Sequence, residues 1–125
     1  MGLNNHVKFL GFLSDEQLAI AYQAADLTIF PSQSFEGFCL AIIESLACGT
    51  PVVCTPIGGM PEILTPFSPN LITSSISAED IADKLTQIFL EEIPLPSRQS
   101  CRQYAVDKFD WYKIAQTVRQ TILDF

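Results

Sequence analysis

The stretch LTIFPSQSFEGFCLAIIESLACGTPVVC, residues 27–54, decides the fold. It opens on an apolar run of strand length at 27–30 and breaks at Pro31-Ser32, where turn chemistry begins a loop. A nearly uncharged helix follows, from Phe38 or Cys39 to Ala47. Cys48-Gly49-Thr50-Pro51 stops it, with glycine at the C-terminal cap and proline shortly after. So little of this helix is polar that it must be covered on most sides. Val52–Cys54 is a second apolar run. Strand, helix, strand at this spacing is a crossover unit, whose two strands run parallel.

Outward from this unit the alternation continues. Strand-length runs are expected at 7–10 and 70–72 as well. Between 7–10 and 27–30, Ser14 stands as an N-cap with Asp15 and Glu16 in the first turn and Gln17 at the capping-box position. Leu18, Ala21, Tyr22 and Ala25 then form one buried helical face. Gly58-Gly59 follows the strand at Val52–Cys54 and permits backbone conformations closed to other residues, and Pro61 opens a short helix. Ser77 caps a further helix, with Asp80 at the capping-box position and Ile81, Leu85, Ile88 and Phe89 on one face. Two more helices are expected at 96–108 and 111–123, the last anchored by Trp111 and Tyr112 and carrying Ile114, Ala115, Val118 and Ile122 on one face. The fold class is α/β, a Rossmann-like parallel sheet flanked by helices, with the strands early and helices at the end.

At 125 residues the chain supports one domain. A net charge of −7 with only 7 Lys plus Arg leaves no electrostatic footprint for nucleic acid. The 4 cysteines, Cys39, Cys48, Cys54 and Cys101, lie in apolar or helical stretches without the paired spacing of a zinc site, and read as reduced, buried thiols. No apolar run approaches the ~20 residues that span a bilayer, and no signal peptide is present, so the expected location is the cytoplasm. His6 reads as a solvated residue. Met1-Gly2 leads within a few residues into the run at 7–10, with no preceding helix or cap, which reads as part of a larger protein.

The chemistry concentrates at the loop between strand and helix. In an open parallel sheet, ligands bind beyond the carboxyl ends of the strands, where loops lead into helix N-termini. Glu36-Gly37-Phe38-Cys39 occupies such a place. Gly37 allows close backbone approach, and the first amides of the helix lack internal partners, so with the helix dipole they favour an anion such as a phosphate. With Cys39 opening the helix, Glu44 lies ~7 to 8 Å further along its axis while Glu36 stays outside it. Two carboxylates bordering an apolar helix need partners, which sugar hydroxyls on either side of a diphosphate would supply.

Glu36, seven intervening residues and Glu44 resemble the motif of retaining glycosyltransferases of the GT-B fold, the glycosyl transferases group 1 family. The resemblance covers nearly the whole chain. The runs from Val7 to Leu18, Ala25-Asp26-Leu27 with Pro31-Ser32, Glu36-Gly37-Phe38, Ala47 to Val53 and Gly58-Gly59-Met60-Pro61-Glu62 are all similar to its C-terminal domain, in the expected order.

The resemblance implies that residues 1–125 are the C-terminal, nucleotide-sugar donor-binding domain of a GT-B enzyme, cut at its N-terminal side and without the acceptor-binding N-terminal domain. The intact enzyme would transfer a sugar from a nucleoside diphosphate sugar with retention at the anomeric carbon, needing no metal or other cofactor, and this piece alone would be inactive. Its partners would be the nucleoside diphosphate sugar and the absent N-terminal domain, and peripheral membrane association would run only through that absent half. Glu36, the residue assigned to catalysis, would contact hydroxyls of the transferred sugar. Beside Gly37, amides of Phe38, Cys39 and Leu40 would hold the diphosphate and sugar, with Leu40 near the ribose and Glu44 on the ribose hydroxyls. Gly11, Phe12 and Leu13 would lie against the nucleobase, and Gly58 and Gly59 would border the pocket. The sequence departs from the family at Cys39, where glycine is usual, and at Ala41, where proline is frequent. The basic residues that pair with the diphosphate in the family would lie upstream of residue 1. Two alternatives share the architecture: a noncatalytic nucleotide-sugar-binding or interaction domain, and part of a sugar-nucleotide epimerase.

Overall fold

Strands β1 (Thr28–Phe30) and β2 (Val52–Cys54) pair in parallel, Thr28 beside Val52, Ile29 beside Val53 and Phe30 beside Cys54. A computed structural model of the chain describes residues 2–34 and 36–124. Side chains alternate across a strand, so Val52 and Cys54 face one way and Val53 the other. All three are fully buried. Val52 and Cys54 join a core with Ile42, Leu46, Met60, Ile63, Leu64, Cys101 and Ala105, whereas Val53 packs with Leu71 and Ile88. The strand is thus covered on both faces, as parallel sheets require.

The helices are α1 (Asp15–Ala24), α2 (Leu40–Ala47), α3 (Met60–Leu64), α4 (Ala78–Phe89), α5 (Arg98–Phe109) and α6 (Trp111–Leu123). Their starts follow the local chemistry. Ser14 accepts from the Gln17 amide and the Gln17 side chain accepts from the Ser14 amide, a complete capping box. Ser77 caps α4 through the Asp80 amide, Ser97 caps α5 through Ser100, and Asp110 caps α6 through Tyr112 and Lys113. Helix α2 buries Ile42, Ser45 and Leu46 and packs against α5 and α1. Its one buried hydroxyl is satisfied twice: Ser45 Oγ lies 2.8 Å from Thr28 Oγ1 and donates to the Thr50 carbonyl at 3.2 Å. Two arginines of α5 close the C-terminal ends of its neighbours. Arg98 donates to the carbonyls of Gln23 (3.1 Å) and Ala25 (2.8 Å) after α1, and Arg102 to that of Ala47 (2.8 Å) at the end of α2. Cations there meet orphan carbonyls and the negative end of the helix dipole.

Four expectations are corrected. Residues 7–10 form no strand and are exposed, Phe9 94% so; a strand exists only through pairing, and among the described residues nothing pairs with this run. At 70–72 a 3₁₀ turn, Pro69–Leu71, replaces the strand, and Ile72 alone bridges Cys54. Pro69 has no N–H for a ladder and its fixed φ suits a first helical turn. Trp111 and Tyr112 do not anchor α6: they are 76% and 71% exposed, and the helix is fixed at its start by the Asp110 cap and by Lys113 on Asp107 at 3.2 Å. Of the thiols, all free, Cys54 and Cys101 are buried but Cys39 and Cys48 only half so.

Burial pushes the Cys54 thiol from 9.0 to about 12 and Cys101 to about 11. Between about pH 9 and these values the folded chain keeps protons that the unfolded chain has lost, so stability falls as pH rises through that window. The urea midpoint is expected to drop between about pH 8 and about pH 10.5, and to drop less in the Cys54→Ala, Cys101→Ala double variant relative to its own value at about pH 8. Parallel pH profiles for the two proteins would contradict the assignment.

Candidate functional site

The carboxyl ends of β1 and β2 lie side by side, and the loop that leaves each meets the other backbone to backbone. The Gly59 amide donates to the carbonyls of Glu36 (3.3 Å) and Gly37 (3.0 Å). No side chain fits in this seam. A Cβ on Gly58 would stand 1.8 Å from the Glu36 carbonyl oxygen, and one on Gly59 would stand 2.5 Å from that of Gly37. Gly58 also has φ +56, in the left-handed region open to glycine. The residues read as pocket border and the residues read as the donor loop are therefore brought into direct contact.

Helix α2 begins at Leu40, one residue later than a start at Cys39 and two later than one at Phe38. Cys39 is its cap, held in the left-handed conformation (φ 59, ψ 68) with no side-chain cap bond. A Cβ there crowds the following carbonyl, which is why glycine suits such a position. The chain thus makes a sharp left-handed step between Phe38 and the helix. The Ile42 amide already donates to the Cys39 carbonyl at 3.1 Å, which leaves the Leu40 and Ala41 amides ahead of the helical ladder. The Cys39 thiol is pushed up, first by burial and then by the charges of Glu36 and Glu44, against the opposing pull of the Ile42 and Ala41 amides. It sits as a neutral thiol within the field of both glutamates.

Glu36 is half-buried and accepts from Ser32 Oγ at 3.2 Å. Glu44 is exposed on α2, at the rim of two clefts. One, about 370 Å³, lies between α1 and α2 and includes Leu18, Tyr22 and Cys48. The other, about 410 Å³, is bordered by Phe38, Leu40, Phe109 and Trp111. Burial, then Glu44 itself, raises the Tyr22 phenol, so that hydroxyl stays protonated beside the carboxylate. Phe38 is exposed on one side and meets Phe109 edge-on at 6.0 Å. Phe109 in turn meets Tyr104 edge-on at 5.7 Å, and Tyr104 stacks on Phe67 at 4.5 Å and donates to the Ile63 carbonyl at 2.7 Å. An aromatic chain from the core therefore supports the loop at Phe38.

Gly11, Phe12 and Leu13 stand apart from this arrangement. Gly11 has φ +68 and open space around it, Phe12 is 98% exposed, and Leu13 is half-buried just ahead of α1. Sequence reasoning missed Tyr22 as a neighbour of Glu44, Phe109 as the support of Phe38, and the pairing of Ser32 with Glu36. Only Ser32 left a signal, as the hydroxyl residue that opens the loop.

The sequence model described as Glycosyl transferases group 1 matches residues 1–108. The D-inositol 3-phosphate glycosyltransferase of Corynebacterium aurimucosum is 35% identical over 127 aligned residues, covering 99% of this chain and 29% of that protein. The MMP alpha-(1->4)-mannosyltransferase of Mycolicibacterium hassiacum is 33% identical, covering 94% and 29%. Sucrose-phosphate synthase from Thermosynechococcus elongatus superposes with a TM-score of 0.79 at 28% identity, over 98% of this chain and 32% of that one. The chain therefore spans about a third of the length of the proteins it resembles, and its architecture is that of one half of a GT-B fold. Among the described residues no helix is long and apolar enough to cross a membrane.

The seam and the left-handed step respond oppositely to substitution. Gly58→Ala is expected to cost roughly 1–3 kcal/mol, since both its φ and the Glu36 backbone must give way. Cys39→Gly should stay within about 1 kcal/mol of the parent, whereas Cys39→Val, branched at Cβ, should lose roughly 1–3 kcal/mol. Urea denaturation measures all three, and equal stability of the glycine and valine variants would contradict the left-handed cap.

Proposed function

The chain belongs to the glycosyl transferases group 1 family, and from that premise we propose that it is the C-terminal, donor-binding domain of a retaining glycosyltransferase that uses a nucleoside diphosphate sugar. The observation that carries the reading is the seam between Glu36-Gly37 and Gly58-Gly59 at the start of α2. It places two strand ends, a carboxylate and a helix N-terminus at one point of a parallel sheet, where ligands of such folds collect.

The residues take the following roles. Amides from Gly37 to Leu40 receive the diphosphate, where they and the α2 dipole offset its charge. Glu36 accepts from hydroxyls of the transferred sugar, and Glu44 from those of the ribose. Gly11, Phe12 and Leu13, just ahead of α1, bound the base, and Gly58-Gly59 closes the pocket at the sugar end. Catalysis is then positioning plus electrostatic stabilisation of the departing diphosphate, and the protein needs no metal for it. In the full-length protein the N-terminal half supplies the acceptor site, and basic residues of this domain that precede the present stretch supply the remaining cationic contacts. Its partners are the donor and that half.

In the full-length protein, Glu44→Gln is expected to weaken binding of the donor by about tenfold, the worth of one hydrogen bond to a charged acceptor. Titration calorimetry with UDP-, GDP- and ADP-linked sugars measures it, and unchanged affinity removes Glu44 from the ribose. Proton NMR of the first product formed reads the anomeric configuration; inversion would overturn the retaining mechanism.

A further inference from the structure

Glu36 is held at both its ends. Its carbonyl accepts from Gly59, and its carboxylate Oε2 accepts from Ser32 Oγ at 3.2 Å. Ser32 is itself pinned from below. Its carbonyl accepts from Thr55 Oγ1 at 2.7 Å, while the Thr55 amide donates to the Phe30 carbonyl at 3.2 Å. Thr55 is 1% exposed and directly follows the wholly apolar β2. A hydroxyl buried there is costly unless bonded, and the bond it makes to Ser32 lies at the root of the loop that carries Glu36.

The geometry points to Ser32, seated by Thr55, as a positioning residue that fixes the carboxylate of Glu36. A carboxylate offers about four lone-pair sites on two oxygens. Ser32 occupies one on Oε2 and restricts rotation of the side chain, so that Oε1 is left to accept from a ligand in one direction. This is what lets the site distinguish a sugar-bearing nucleoside diphosphate from the bare nucleoside diphosphate. The inference rests on the reading that Glu36 meets the transferred sugar. It adds a residue that touches no ligand and acts through Glu36 alone.

The test uses the full-length protein and titration calorimetry. UDP-glucose, GDP-mannose and ADP-glucose are each compared with UDP, GDP or ADP, and the pair that binds is carried through the variants. Ser32→Ala is expected to weaken the sugar-bearing ligand by about tenfold while the bare nucleotide binds as in the parent. Ser32→Thr, which keeps the hydroxyl, should restore most of the difference. In a Glu36→Ala background, Ser32→Ala should have no further effect, because residues that act through one another are not additive. If Glu36→Ala lowers the preference for the sugar-bearing ligand and Ser32→Ala does not, Ser32 has no positioning role. Equal losses for both ligands in Ser32→Ala would make its role merely structural and overturn the inference equally. If Glu36→Ala itself leaves the preference unchanged, or no pair binds, it is the donor reading of the site that fails.

Discussion

The arrangement depends on the parallel pairing of β1 with β2 and on the burial of β2 from both sides. Two strands that run the same way end at the same edge, so the loops leaving Phe30 and Cys54 must share space. With Val52, Val53 and Cys54 all inaccessible, β2 cannot slide without turning its side chains to the wrong face. Register is therefore fixed by packing, and the position of Gly58 relative to Glu36 is fixed with it. The absence of a Cβ at Gly58 and Gly59 is the consequence at the loops of a constraint imposed in the core.

The same constraint explains why polar groups near the site are so well satisfied. Ser45, Thr50, Thr55 and Thr73 are buried, and each hydroxyl has a partner. These bonds tie α2 to β1, the loop before β2 to α1, and the end of β2 to the Ser32 loop. Except for Thr73, which closes locally on the Ser75 carbonyl, they join segments distant in sequence and add direction to contacts that apolar packing alone would leave free to shift. Arg98 and Arg102 do the same from outside, each reaching from α5 to the end of a helix that flanks the site.

What the sequence discloses follows from how local each interaction is. Capping at Ser14 and Ser77 is settled within four residues, and the starts of α1 and α4 are legible to the residue. The crossover unit at 27–54 is legible because apolar runs and stop signals stand in order. The runs at 7–10 and 70–72 mislead because apolarity is shared by strands and by other extended segments, and only a neighbour tells them apart. Likewise Glu36, Glu44 and the paired glycines can be singled out from spacing, but not that the glycines press on Glu36. That contact spans about twenty residues of chain and belongs to the register of the sheet. The aromatic support of Phe38 by Phe109 is longer-ranged still, and no periodicity announces it.

Cys39 shows how the remaining conflict between local preference and global fold is settled. By itself a cysteine avoids positive φ, at a cost of roughly 1–2 kcal/mol against a right-handed alternative. Here the flanking residues are held, Phe38 on Phe109, Gly37 on Gly59 and Ile42 in the core, and the left-handed step at Cys39 joins them. The side chain that results is not idle: it packs against the core that contains Ile42 and Cys54, which offsets part of the strain. Burial, and then the charges of Glu36 and Glu44, keep the thiol protonated, so the cap adds no charge at the start of α2. The left-handed turn thus serves the geometry of the loop, while the thiol fills space against the core without adding a charge there.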